Sequence, residues 1–422
     1  MMNSETNRNF IPRSVGCVVL IAAFALGPLW ASDIRRESPE QVGFSSARLD
    51  RIDKVLDGFV ADGTLGGAVT LICRKGTVVH HAALGRLNEL EAMRNDAVFA
   101  LASMTKPITS VAVLMLFEEG HFILDDPVAE FLPEFNNLTV WDRSTQTDGA
   151  PETVPLAREI TIRDLLRHTS GLAYEADGTV GVMIDRLLDG PDEPNESFVA
   201  KAAAIPLVHQ PGSTWEYGIS TDILGHLVEV VSGQPLGIFL SERLFSPLRM
   251  VDTGFFVPAS KRNRFAGLFV ADGNSQVRHL RRPIKDAYEL APQGPSGGGG
   301  LVSTAADYGR FLQMILNGGT LEGRRYLSRT TVEMMTTDHC KGLDGLRPGQ
   351  GFGLGFRVRT GLGETGVPGS LGAISWAGIY NTFFWIDPRE ELIGILMTQT
   401  SPYGHLSLRE RFKSLVYQAI ID

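Results

Sequence analysis

The chain has 422 residues, 43% hydrophobic and 21% charged, a balance that excludes a disordered, collagen-like or disulfide-scaffold protein. Its net charge is -9, from 48 acidic and 39 basic residues, and the basic blocks are as short as Lys261-Arg262 or Arg281-Arg282. That pattern argues against a nucleic-acid partner and for a mildly acidic protein acting on a small molecule.

Residues 1–31 carry Arg8 and Arg13, then an apolar run from Val15 to Leu29, then Leu29-Trp30-Ala31. A basic start, an apolar middle and a small final residue predict an export signal cleaved after Ala31, hence a periplasmic or secreted protein. The run is short for a membrane span, which needs about 20 apolar residues, and it contains Pro28, so no stable span is expected after cleavage. Beyond it only Cys73 and Cys340 remain. Two thiols exclude a disulfide framework and a four-cysteine metal site.

The spacing of Leu49, Ile52, Val55, Leu56 and Phe59 predicts a helix over 45–62, stopped by Gly63. Gly67–Cys73 and Thr77–Ala83, around Arg74-Lys75-Gly76, predict a β-hairpin. Between about 103 and 290 the periodic segments are helical, at Ser103–Glu119, Ile162–Arg167 and Thr221–Val231. Segments 142–155 and 188–197 are polar and read as surface loops. Toward the end, Gly372–Gly378, Ile379–Ile386 and Glu391–Thr398 are strand-length apolar runs, and an amphipathic helix over 406–421 closes the chain. The economical architecture is of the α/β (α+β) kind: one sheet built from both ends of the chain, helices packed on it, and a mainly helical region inserted between.

Three stretches carry chemistry. Ser103-Met104-Thr105-Lys106 opens a helix, so the lysine lies on the same face as the serine, one turn on. A serine hydroxyl needs a nearby base, and a helix N-terminus offers N–H groups and a positive dipole end to an oxyanion. The dipole and partial burial are expected to push Lys106 toward its neutral, proton-accepting form. In Pro211–Ser220, a turn delivers Tyr217, and a tyrosine beside a lysine cation can share base duty. In Ser375-Trp376-Ala377-Gly378-Ile379, the glycine lets a substrate lie along a strand edge, and the N–H after it is a candidate second oxyanion donor. Each stretch also has a plain structural reading: a helix start, a core tyrosine and a core strand.

Two other matches fail on context. Gly294-Pro295-Ser296-Gly297-Gly298 fits a nucleophile elbow, but Ala291-Pro292-Gln293 precedes it and more glycines follow, where the elbow needs a strand and then a helix. Gly361–Gly366 fits a dinucleotide fingerprint, but no helix pattern follows. The histidines show no metal-ligand spacing, so neither a metal nor a cofactor is expected.

Taken together and in this order, the stretches resemble the serine hydrolases related to class C β-lactamases and penicillin-binding peptidases, most closely class VIII carboxylesterases. The resemblance spans about 40–420. It rests on Phe99–Lys106, on Ile160-Thr161-Ile162-Arg163-Asp164-Leu165-Leu166-Arg167-His168-Thr169-Ser170-Gly171-Leu172, on Pro211–Tyr217, on Gly298–Asp307 and on Trp376-Ala377-Gly378. It implies an antiparallel-sheet part, about 40–102 and 295–422, and a helical part, about 103–294, with the site in the cleft between them. It implies Ser103 as acyl-forming nucleophile, Lys106 and Tyr217 as coupled base and acid, and the N–H groups of Ser103 and Ile379 as oxyanion donors. Trp376, Gly378 and Ile379 would then contact the substrate, and His168 is structural. Two departures bear on substrate. Ile219 stands where the lactamase pattern Tyr-x-Asn has its amide, and Trp376-Ala377-Gly378 replaces Lys-Thr-Gly. Losing that amide and that cation favours neutral, apolar short-chain esters over carboxylate-bearing lactams. A β-lactamase, a D-amino-acid peptidase or a transacylase would use the same three residues, and a non-catalytic ligand-binding homologue would keep only the fold.

Overall fold

The computed structural model describes residues 38–144, 150–280 and 287–422. The expected export signal lies outside them, as does part of the polar segment 142–155. No single helix among the described residues is long and apolar enough to cross a membrane.

Seven antiparallel strands form the central sheet: β1 (Gly67–Arg74), β2 (Thr77–Gly85), β3 (Gln350–Phe352), β4 (Arg357–Arg359), β5 (Ile374–Ala377), β6 (Phe383–Asp387) and β7 (Leu392–Thr398). Their order is β3-β4-β5-β6-β7-β1-β2, so β1 and β7, from opposite ends of the chain, pair at its centre, with Ala68 opposite Thr398 and Arg74 opposite Leu392. The expected sheet from both termini is therefore observed. The β1–β2 turn places Lys75 and Gly76 at positive φ, +50° and +73°, the backbone that matches the twist of a tight hairpin.

Alternation along the central strands makes the layers. Val69, Leu71 and Cys73 of β1 and Ile393, Ile395 and Met397 of β7 face one core with Tyr308, Phe311 and Leu312 of the Ala305–Leu316 helix. Ala68, Ile72, Leu392 and Leu396 face the other, with Leu49, Ile52 and Leu56 of the Ser46–Ala61 helix and Phe412 and Val416 of the Leu408–Tyr417 helix. Side chains of a strand point alternately up and down, so one register serves both layers. Cys73 and Cys340, the cysteines among the described residues, are buried and form no disulfide, and burial pushes each thiol up to about 12.

Between Phe99 and Leu301 the chain is mainly helical, with the Lys106–Glu118 helix at its centre, buried from Lys106 through Leu116. The Ser220–Ser232 helix packs against it. Strands there are short: Thr139–Trp141 with Thr153–Pro155, and Leu268–Ala271 with Val277–Leu280. Several expected boundaries shift, and segment 142–155 ends in the Thr153–Pro155 strand and not in loop. Segment 188–197 is not all loop, because the Asn195–Ala203 helix begins inside it. The last helix starts at Leu408, after a short 3-10 turn. Residues 378–382 are a turn and not the start of a strand, since Gly378 N–H donates to Thr382 O at 2.9 Å, Asn381 N–H donates to Gly378 O at 3.1 Å, and Asn381 sits at φ +63°.

Asp307, fully buried at the start of the Ala305–Leu316 helix, gives the fold a pH dependence. Its Oδ2 accepts from Asp252 N at 2.7 Å and Thr253 Oγ1 at 3.1 Å, while Oδ1 has no partner. Burial, with the Asp252 charge nearby, raises its carboxyl to about 7 against those bonds. A carboxyl whose native pKa lies above its unfolded value of about 3.9 stabilises the fold while protonated and loses that contribution as pH rises to the native value. Thermal stability should fall between about pH 4 and 7 by roughly a few kcal/mol and level off above that, and Asp307→Asn should flatten the curve. Parallel melting curves across that range check it.

Candidate active site

The chain enters the site at Leu101, whose N–H donates to Leu301 O at 2.8 Å. Ala102 follows in the left-handed region, φ +47°, a conformation that costs a β-carbon-bearing residue about 1–3 kcal/mol. Residues Ala102–Thr105 form a 3-10 turn before the α-helix begins at Lys106. The continuous helix expected from Ser103 thus starts with a tighter turn, in which residues three apart eclipse. Lys106 Nζ consequently lies 3.5 Å from Ser103 Oγ.

The Tyr217 turn is built by the long Ile160–Leu172 stretch. Thr161 caps the Ile162–Leu166 helix, accepting from Asp164 N, and the Asp164 carboxylate in turn accepts from Thr161 N and Oγ1. The same buried carboxylate holds Arg158 at 2.6 and 3.0 Å, Arg167 at 3.1 Å and Thr169 Oγ1 at 2.8 Å. Burial alone would raise Asp164, but these donors outweigh it and hold it at about 2. From this knot, Thr169 O accepts from Gly212 N at 2.7 Å and His168 O from Glu216 N at 2.9 Å. A β-carbon on Gly218 would lie 1.8 Å from Leu172 O, so only glycine lets the turn close after Tyr217.

The structure brings Ser103, Lys106 and Tyr217 together. Tyr217 hydroxyl donates to Ser103 Oγ at 2.7 Å. Lys106 Nζ lies 4.8 Å from the Tyr217 ring centroid and is 1% exposed. Its other contacts were not foreseen: Nζ donates to Tyr174 hydroxyl at 3.0 Å and to Gly298 O at 2.8 Å. With Ser103 these make three acceptors, the full donor count of an ammonium. Burial pulls the Lys106 ammonium down, but Tyr174, Tyr217 and Asp222 more than offset it and the net shift is upward. That direction favours the charged form of Lys106, where the dipole argument favoured the neutral one. Burial raises the Tyr174 phenol, with the Lys106 charge acting against it.

Gly298 belongs to the glycine loop flagged by the false elbow. Ser296 Oγ donates to Asp222 Oδ1 at 2.6 Å and accepts from Gly299 N at 2.9 Å, and Gly298 N–H donates to the same Asp222 oxygen at 3.0 Å. Ser296 is thus a staple of the loop that presents Gly298 O to Lys106. Tyr174 and Asp222 had no motif of their own in the sequence; only the glycine run marked the surface they meet.

Four rings enclose Tyr217: Trp215 stacked at 6.3 Å, His168 at 5.1 Å, Tyr174 at 5.2 Å and Trp376 edge-on at 5.2 Å. His168 is fully buried, its Nδ1 has no partner, and burial with the nearby Lys106 charge drives its pKa far down. It is a neutral packing ring. Trp376 is 6% exposed and backs Tyr217 and Phe352. Gly378 lies against the serine turn, where an added β-carbon would sit 2.4 Å from Leu101 O and 3.3 Å from Ala102 Cβ. Ile379, the next residue, is 58% exposed at the tip of the 378–382 turn. A hydroxyl, a phenol and a buried cation within hydrogen-bonding range form a set that can pass protons while the hydroxyl attacks a carbonyl.

Comparison with known proteins identifies the family. The Beta-lactamase family model matches residues 52–417. The chain belongs to the beta-lactamase family. Among its beta-lactamase-family relatives, Protein Rv1367c of Mycobacterium tuberculosis is 36% identical over 81% of this chain and 87% of its own length. Esterase EstB of Burkholderia gladioli is 34% identical over 84% of this chain and 91% of its own. The solved structure of EstCE1, described as a hydrolase with promiscuous acyltransferase activity, shares the fold with a TM-score of 0.72 at 24% identity, over 91% of this chain and 99% of that one. These matches make the protein a serine hydrolase of the beta-lactamase family with esterases among its relatives.

Proposed function

We propose that the protein is a carboxylesterase that cleaves short-chain esters through an acyl-enzyme on Ser103. The observation that carries this reading is the 2.7 Å contact between Tyr217 hydroxyl and Ser103 Oγ, beside a buried lysine. In this reading Tyr217 enters the reaction as the phenolate, its charge held against the Lys106 ammonium; Ser103 Oγ attacks the ester carbonyl carbon, and its proton passes to that phenolate oxygen, 2.7 Å away. The N–H groups of Ser103 and Ile379 receive the developing oxyanion, where fixed donors act most strongly. The pair returns the proton to the departing alkoxide. Water then attacks the acyl carbon, gives its proton to the same pair, and Ser103 leaves as the hydroxyl.

Two features favour esters over lactams. Ile219, at the position of the lactamase amide, is 3% exposed and packs in the core, so no side chain there can orient a lactam. Trp376 replaces a lysine and supplies an apolar wall behind Tyr217. EstB is likewise an esterase at 34% identity. The residue 1–31 pattern puts this activity in the periplasm or outside the cell.

A fluorophosphonate probe should label the peptide that contains Ser103. Turnover of 4-nitrophenyl butyrate should exceed that of nitrocefin by about 100-fold or more in kcat/KM. Label on any other peptide, or faster nitrocefin turnover, would reject the assignment.

A further inference from the structure

Arg357, the first residue of β4, lies opposite Ser375 in the sheet. Its guanidinium stacks over the indole of Trp376 at 5.1 Å, and that indole meets the Tyr217 ring edge-on at 5.2 Å. Two ring contacts therefore join this cation to the phenol that touches Ser103.

The Arg357 side chain makes no hydrogen bond or ion pair among the described residues, and its Nε is buried without a partner. A guanidinium carries five donors that ordinarily find a carboxylate, a phosphate or carbonyls. The groups facing it are few. Arg409, from the Leu408–Tyr417 helix, spends Nη2 on Gly378 O and stacks on Tyr403 at 4.1 Å, leaving its own Nε unpaired. Arg347 adds another positive charge from the loop before β3, and the groups that act the other way on Arg357 are the Tyr403 and Tyr217 phenols and the exposed Glu410, with which it forms no ion pair. Burial lowers Arg357 against its usual value, with Arg347 acting the same way. A partly buried cation among like charges is costly, and an arriving anion relieves that cost.

We propose that Arg357, supported by Arg409, forms an anion subsite beside Trp376 that receives a carboxylate carried by the ester substrate. The proposal rests on the esterase reading and narrows it: the ester carries an acid that pairs with Arg357 at the margin of the buried Trp376. Sequence alone pointed to neutral esters because the lysine of the strand motif is missing. The structure returns a cation to the same corner from the neighbouring strand, planar where the lysine would be a point charge and so suited to a two-oxygen contact.

Two ester pairs test it and distinguish which end bears the acid. One compares the 4-nitrophenyl monoester of glutaric acid with its methyl-capped diester, placing the acid on the acyl side. The other compares 4-acetoxybenzoate with its methyl ester, placing it on the leaving-group side. The wild-type enzyme should prefer the acid in at least one pair by about tenfold or more in kcat/KM, mainly through KM, and high salt should shrink the preference. In Arg357→Met the ratio should collapse to about 1, and Arg357→Lys should keep part of it. A wild-type ratio near 1 in both pairs overturns the subsite while leaving the esterase intact. If the wild type turns over none of the four, the esterase reading fails, and calorimetry with monomethyl glutarate on Ser103→Ala protein decides the subsite separately. Binding lost on adding Arg357→Met upholds it, and no binding overturns it.

Discussion

Ser103→Ala should lower kcat for 4-nitrophenyl esters by about 10⁴-fold or more, the scale on which removal of a serine nucleophile acts when the rest of the site persists. The loss should come without unfolding. Ser103 is partly exposed, its hydroxyl is tied mainly to Tyr217, and alanine keeps the backbone of the 3-10 turn. Ser296→Ala is the matched control, since it removes the other serine that sequence motifs nominate. It breaks the bonds to Asp222 Oδ1 and Gly299 N, which should cost about 1–3 kcal/mol of stability. Its effect on kcat should stay within about tenfold, because Gly298 N–H still holds Asp222 and Gly298 O still faces Lys106. Steady-state kinetics and melting curves on both proteins suffice. Equal losses in the two variants, or a larger loss at Ser296, would move the nucleophile to the glycine loop.

The contrast between these serines shows what the sequence could reveal. The sheet from both ends was legible because alternation in β1 and β7 and helical spacing in 45–62 are local patterns tied to burial. Ser103 and Lys106 were legible because three residues separate them. Tyr217 was legible only as part of a set, since 114 positions separate it from Ser103 and spacing says nothing across that distance. Tyr174, Asp222 and Gly298 O were not legible. They act on Lys106 only when two loops and the Ser220–Ser232 helix come together, one of them through a backbone carbonyl that no side-chain motif records. Arg357 was hidden for the opposite reason. Charged residues are usually solvated, and only the packing of Trp376 shows that this one lacks a partner. The state of Lys106 was misjudged on the same account, because the dipole and burial are visible in the sequence while the acceptors around the ammonium are not.

That correction sets the outcome for Lys106→Met. The substitution keeps the apolar stem and removes the charge, and kcat/KM should fall by about 10²–10⁴-fold, the range for loss of a positioned proton-transfer partner. Stability should move far less. Gly298 O and Tyr174 hydroxyl lose a donor, which costs about 1–3 kcal/mol each if left dry. Relief from burying an ammonium that is 1% exposed opposes that cost, so the melting temperature should shift by no more than about 5 °C in either direction. The pH profile separates the two possible states of the lysine. Because Tyr174, Tyr217 and Asp222 hold Lys106 above its ordinary value despite burial, the wild-type kcat/KM should show no ascending limb between about pH 6 and 9 that depends on this residue. A limb in that range that disappears in Lys106→Met would mean that the amine, and not the phenol beside it, is the group that first takes the serine proton.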